Sequence, residues 1–222
     1  MLRVGVLISG RGSNLQALLE TCAQPEFPAK IVMVLSNKPD VAGLQRAKAA
    51  GVPAAVCDHR DHPDRETFER ALDAHLRTSG VECVCLAGFM RVLTPWFVRQ
   101  WHDRILNIHP SLLPAFPGME THARALAAGV RFSGCTVHVV RPDVDAGPII
   151  VQAAVPVWPD DTPDILAARV LAAEHRAYPL ALRLVAEGKV DIIGDRAVIQ
   201  AAAKPSDFLL LNPAENAAMP PQ

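Results

Sequence analysis

The sequence predicts an α/β fold, a Rossmann-like, mostly parallel sheet with helices on both faces and a C-terminal part that is partly antiparallel. Three observations predict it. Short apolar, β-prone runs alternate with amphipathic segments through the first half of the chain, which is the pattern of parallel strands joined by crossover helices. The first of these runs ends in a glycine-rich loop that leads into a helix. Beyond about residue 118 the alternation gives way to two longer strand-like runs joined by a polar turn.

In chain order, strands are expected at 2–8, 30–36, 52–57, 82–86 and 104–108, with helices near 14–23, 41–50, 64–79 and 95–101 between them. Asn14 is placed to open the first helix and Gly51 to close the second. A short helix at 121–128 precedes strands at 134–140 and 148–156, and a long helix follows from about 162 to 186. Asp161 or Thr162 is its expected N-cap, with Pro163 in the first turn. Val190 to Ile193 and Ala197 to Ile199 read as a hairpin turned at Gly194-Asp195. With no internal repeat and no linker, residues 1–203 are expected to form a single domain, its N-terminal half binding phosphate. The Pro-, Ala- and Asn-rich residues 204–222 are expected to be a mobile tail.

The 222 residues are half hydrophobic and 20% charged, with a formal net charge of −1. That balance gives no electrostatic footprint for nucleic acid or an anionic membrane. No run approaches the roughly 18–20 apolar residues that span a bilayer. The opening run, Met1 to Ile8, is too short for a secretory signal and reads as the first strand. Five cysteines, an odd number without CxxC spacing, fit a reducing cytoplasm and argue against a metal site. Partners are expected to be small molecules or like subunits, a homodimer included.

Two segments carry chemistry. The first, Ser9-Gly10-Arg11-Gly12-Ser13-Asn14, joins a strand to a helix. Glycine lets backbone N–H groups approach an anion, and a helix N-terminus favours negative charge. A dinucleotide fingerprint would need glycine at Leu15 and an acid after the second strand, where Ser36-Asn37-Lys38 stands. A cradle for one phosphate monoester remains, with Gly12, Ser13 and Asn14 as donors; the alternative is a tight turn that binds nothing.

The second is Asn107-Ile108-His109-Pro110-Ser111-Leu112-Leu113-Pro114. Asn107 and His109 stand two apart at a strand end, so they share a face, and the prolines stop the ladder behind them. An amide donor and an imidazole thus meet at the mouth where open sheets bind ligands. Downstream, Arg141-Pro142-Asp143-Val144-Asp145-Ala146-Gly147-Pro148 sets two carboxylates in a turn framed by prolines and glycine. Such turns are commonly solvated hairpin tips. Contact between Asp145 and His109, which sequence alone does not establish, would favour the charged imidazole and make His109 a usable acid.

The octapeptide with the Asp-x-Gly-Pro turn resembles the folate-dependent formyltransferase family. Ile8-Ser9-Gly10-Arg11-Gly12-Ser13-Asn14-Leu15-Gln16 narrows the resemblance to the branch that formylates phosphoribosyl glycinamide in purine synthesis. Leu86 to Leu93, Thr136 to Val140 and Glu174 to Pro179 match as well, so the resemblance runs over essentially residues 1 to 200. It implies a catalytic trio of Asn107, His109 and Asp145. The glycinamide ribonucleotide would be held by Gly12, Ser13, Asn14 and Glu174. The folate site would comprise Arg65, Met90, Arg91, Val92, Leu93, Asn107, Arg141, Asp143, Val144 and Asp145, which makes the C-terminal half of the domain the folate-binding half. The co-substrate implied is 10-formyltetrahydrofolate, with no metal, because hydrogen-bond donors can stabilise the single developing charge. Some members carry His where this chain has Glu120, which touches the substrate rim and not the trio.

A formyltetrahydrofolate hydrolase is the alternative, using the same trio with water as acceptor. That branch carries an extra N-terminal regulatory domain, which is not expected here because the first strand is expected to begin at Leu2. Methionyl-tRNA formyltransferase adds a C-terminal domain and a basic surface, also not expected here. A non-catalytic sugar-phosphate-binding module would explain the glycine loop and leave Asn107, His109 and Asp145 without a role.

Overall fold

The computed structural model describes residues 1–200, together with Leu210 and Asn212. Seven strands form one sheet in the order β3-β2-β1-β4-β5-β6-β7. They are β1 (Leu2–Ile8), β2 (Ala29–Ser36), β3 (Ala54–Val56), β4 (Cys83–Leu86), β5 (Ile105–His109), β6 (Phe132–Val139) and β7 (Ile149–Pro156). Pairings from β3 through β5 are parallel, and β5–β6 and β6–β7 are antiparallel. The expected fold class is therefore observed.

The helices are α1 (Ser13–Cys22), α2 (Ala42–Ala49), α3 (Arg65–Thr78), α4 (Pro95–Gln100), α5 (Thr121–Ala127) and α6 (Pro163–Ala186). Along β4 the buried side chains alternate between two cores. Cys83 and Cys85 join the one containing Leu15 and Leu18 of α1 and Tyr178 and Leu182 of α6. Val84 and Leu86 join the one containing Phe68 and Leu72 of α3 and Phe97 of α4. A strand covered on both faces has no polar side to show, which is why this run is continuously apolar. All five cysteines are free thiols.

Element boundaries differ from the sequence reading by one or two residues where chain ends fray. Thr162 caps α6, its side chain accepting from the Ile165 N–H, and Pro163 follows. Gly51 lies just beyond α2 with φ +68°. The hairpin β8 (Val190–Ile193) and β9 (Arg196–Ile199) is present. One expectation fails: Asn14 does not cap α1. Gly12 occupies the cap position in the left-handed conformation, with no side-chain cap, and Asn14 lies in the first turn with its amide turned elsewhere. The tail expectation for 204–222 lies, apart from Leu210 and Asn212, outside the described residues.

The order of the sheet positions the site. β1 pairs with β2 on one side and β4 on the other, so the chain reverses its direction of growth there. The crevice at the C-terminal ends of such strands is where open α/β sheets bind ligands. The glycine loop after β1 and the 87–94 segment after β4 both follow the C-terminal ends of these strands. Because β6 runs against β5, Thr136 and His138 stand beside His109 and Asn107.

Candidate active site

A cavity of about 650 Å³ opens at these strand ends, a size suited to a drug-sized ligand. Asn107, His109 and Asp145 all line it, as do Met90 to Leu93 on one wall and Arg141, Asp143 and Val144 on another. Met90, Val92, Met119 and Val144 rim it as exposed apolar side chains. Arg65, Gly12, Ser13, Asn14 and Glu174 are not part of its lining.

Two loops converge on His109, which is 5% exposed. Its Nδ1 lies 3.3 Å from Asp145 Oδ2, and its Nε2 lies 2.9 Å from the Phe116 carbonyl. Asp145 Oδ2 also accepts from the Gly118 N–H at 2.8 Å. The 141–147 turn reaches this position because Gly147 passes against β6. A Cβ there would fall 1.6 Å from the Val139 carbonyl oxygen, so no side chain fits. Both ring nitrogens of His109 thus face acceptors, one of them a backbone carbonyl of the following loop.

That loop is itself tied to β6. The Thr136 hydroxyl donates to the Ser111 carbonyl at 2.7 Å and accepts from the Leu113 N–H at 3.0 Å. Gln152 on β7 donates to the Leu113 carbonyl at 2.9 Å. The octapeptide is thus fixed by side chains far away in sequence.

His138, 2% exposed, is a site residue that the sequence reading did not single out. Its Nδ1 lies 3.1 Å from the Val139 carbonyl, and its Nε2 lies 3.2 Å from Asn107 Nδ2 and 3.8 Å from Asp145 Oδ1. Burial lowers its pKa below the ordinary imidazole value, opposed by the Val139 carbonyl and the Asp145 carboxylate. A neutral ring that donates through Nδ1 leaves Nε2 as an acceptor, and this turns the Asn107 amide nitrogen toward it. The signal was a histidine alternating with apolar residues on a strand, which a sequence alone does not separate from a core histidine.

The glycine loop is held by backbone. Gly12 has φ +70°, and a Cβ there would lie 2.8 Å from Gly43 Cα, so loop and α2 touch at two glycines. The first N–H groups of α1 have no intrahelical partner and Gly12 keeps their approach open. Arg46 stands beside them, its Nε donating to the Arg11 carbonyl at 3.0 Å, a contact that no local sequence pattern announces. Asn14 Nδ2 donates to Glu174 Oε2 at 2.7 Å, joining two expected substrate residues across α1 and α6. Burial pushes the Glu174 carboxyl above the usual carboxylate range, against the pull of the Asn14 bond. Arg65 is exposed at the start of α3.

Residues 2–182 match the formyl transferase family. The chain belongs to that family. It is 40% identical over 205 residues to the phosphoribosylglycinamide formyltransferase of Haemophilus influenzae, covering 92% of this chain and 97% of that protein. It is 53% identical over 190 residues to the trifunctional purine biosynthetic protein adenosine-3 of Gallus gallus, covering 86% of this chain but only 19% of that protein. Among solved structures, glycinamide ribonucleotide transformylase 1 from Symbiobacterium toebii superposes with a TM-score of 0.88 at 51% identity, covering 90% of this chain and 94% of that one. No helix among the described residues of this family member is long and apolar enough to cross a membrane.

Proposed function

We propose that this formyl transferase moves the formyl group of 10-formyltetrahydrofolate onto the primary amine of N1-(5-phospho-D-ribosyl)glycinamide, a step of purine biosynthesis. The observation that carries the reading is the convergence of Asn107, His109 and Asp145 on one cavity, in a chain whose relatives of similar length are named for this reaction. The amine nitrogen attacks the formyl carbon, the carbon–nitrogen bond to the folate breaks, and one proton passes from the amine to the departing folate nitrogen. An oxyanion forms on the way. Asn107 and His109 are the proposed donors to it, each good donor being worth about 3–4 kcal/mol. Asp145 orients His109 from the other ring nitrogen, and a water held nearby carries the proton. For His109 to reach the oxyanion, the Phe116 carbonyl gives up its place.

The backbone N–H groups of Gly12, Ser13 and Asn14 are the proposed phosphate cradle, and Glu174 the contact to the amine-bearing end. Holding the far end of the substrate positions the near one. The 90–93 wall and the 141–145 turn are the proposed folate walls, and Arg65, outside the cavity lining, is the remaining proposed folate contact. We infer a single domain over residues 1–203 working in the cytoplasm, as a homodimer where a partner is needed. The hydrolase alternative is not favoured, since the relatives above are named as transferases. Absorbance at the folate tests the choice. Tetrahydrofolate should appear only when the phosphoribosyl glycinamide is present; equal turnover without the amine would make the protein a hydrolase and overturn the acceptor.

A further inference from the structure

The wall formed by residues 88–93 is neither helix nor strand, and Met90 and Val92 on it are exposed. An irregular exposed segment ordinarily moves more than the elements it joins. This one is fastened at both ends by buried polar side chains. At its start, the Ser9 N–H donates to the Gly88 carbonyl at 3.1 Å and the Met90 N–H donates to Ser9 Oγ at 2.8 Å. At its end, the Thr94 N–H donates to Glu69 Oε1 at 2.8 Å and the Thr94 hydroxyl donates to the other carboxylate oxygen.

Glu69 is the unusual member of this set. It sits in the second turn of α3 and is 1% exposed, a placement that costs free energy unless its oxygens are met. As an N-cap, Thr94 has no need of it. Asp64 and Thr162 cap α3 and α6, and among the described residues neither is hydrogen-bonded to a carboxylate from another element, while Thr94 already accepts from the Phe97 N–H at 3.4 Å. What the carboxylate adds is a fixed height for the chain just before Thr94, which is the cavity wall. The wall also carries an Arg91 Nε that is buried without a partner, a group that a freely relaxing segment would turn to water.

We propose that Glu69 is a positioning residue for the formyl donor. Through Thr94 it holds the 88–93 backbone at the height where its N–H and C=O groups meet the flat folate heterocycle. The proposal deepens the reading given under Proposed function and rests on it.

The test compares Glu69→Ala, which removes both acceptors, with Glu69→Gln. The amide of the latter can still accept from the Thr94 N–H and donate to the Thr94 hydroxyl oxygen. Glu69→Ala should raise KM for 10-formyltetrahydrofolate at least about tenfold, the scale of one unsatisfied buried group. The kcat at saturation and the KM for the glycinamide substrate should stay within about twofold, and Glu69→Gln should recover most of the loss. An unchanged donor KM in Glu69→Ala, or a loss spread evenly over all three constants, would overturn the proposal. Where Glu69→Ala does not fold, Thr94→Val decides: it keeps the N–H and removes the hydroxyl, and its donor KM should rise by a smaller factor or the proposal fails. Calorimetric binding of 10-formyltetrahydrofolate to the same variants separates this proposal from the assigned reaction. Wild-type protein that binds the folate but transfers nothing refutes the reaction, while the variant series still reads the role of Glu69.

Discussion

The glycine loop after β1 and the octapeptide at the end of β5 occupy equivalent places at the C-terminal mouth of the same sheet, yet they are held in opposite ways. The loop is local. Its shape comes from a left-handed Gly12 pressed against Gly43, and what it offers a ligand is backbone N–H. The octapeptide is built from a distance: Asp145, His138, Thr136, Gln152 and the Phe116 carbonyl reach it from other segments, and what it offers is side-chain chemistry. A cradle that only positions an anion tolerates substitutions that leave the backbone path intact. A group that meets a transient charge depends on every side chain that aims it.

The largest expected effect breaks the side-chain half. Asp145→Asn keeps the size of the side chain and the acceptor for the Gly118 N–H, but removes the negative charge 3.3 Å from His109. The expected loss is at least about a hundredfold in kcat, the scale of one oxyanion donor. Substrate Kd should move far less, since the lost contact is made mainly in the transition state. His109→Ala should cost at least as much, and the double variant little more than the worse single one, as groups acting as a unit do. Single-turnover rates give the comparison; losses that multiply would show two independent residues.

The backbone half should fail differently. Gly12→Val puts a side chain where Gly43 Cα lies 2.8 Å from even the Cβ, at φ +70°, so the loop must shift. KM for the glycinamide substrate should rise at least about tenfold, with the left-handed residue itself costing about 1–2 kcal/mol of stability. The folate KM should change little. Gly10→Ala is the control, because its Cβ would meet nothing within 4 Å, and near-normal kinetics are expected. A Gly12→Val protein with normal glycinamide KM but weakened folate binding would mean that the two sites are exchanged.

The same contrast explains what the sequence revealed. Strand and helix positions were readable because each is a local pattern, and so was the glycine loop, whose proposed role lies in consecutive residues. The pairing of Asn107 with His109 followed from the period of a strand. The approach of Asp145 to His109 needed the family resemblance, because the turn returns only after α5 and β6 have been laid down. His138, Arg46 and Glu69 were missed for one reason. Each has its hydrogen-bond partner distant in sequence, and each looks alone like an ordinary strand or helix residue. The Phe116 carbonyl carries no sequence signal at all, since every residue has one. The failure of Asn14 as a cap has the same origin: the local rule offered it a backbone N–H, and Glu174, 160 positions away, offered its amide a buried carboxylate.

The smallest expected effect sharpens the comparison through pH. Burial lowers the His138 pKa below its unfolded value, so the folded protein keeps the ring neutral where the unfolded chain would protonate it. The stability tied to this residue is therefore fully present above the unfolded pKa of about 6.5 and is lost as pH falls from there toward the lower folded value, because the unfolded chain takes up the proton first. His138→Gln removes the titration and keeps an amide oxygen that can accept from Asn107. The wild-type Tm should exceed the variant's by more at pH 7.5 than at pH 5.5, and the gap should narrow steadily between them. Glu174 works in the other direction. Its raised carboxyl pKa gives stability that is present at acid pH and lost as pH rises through the folded value, so Glu174→Gln should gain on wild type toward neutrality. Opposite pH slopes in the two variants would mark His138 as a buried neutral ring and Glu174 as a buried acid. A gap between wild type and His138→Gln that does not change with pH would mean that His138 is protonated to the same extent folded and unfolded, and that it does not hold Asn107 as a neutral acceptor.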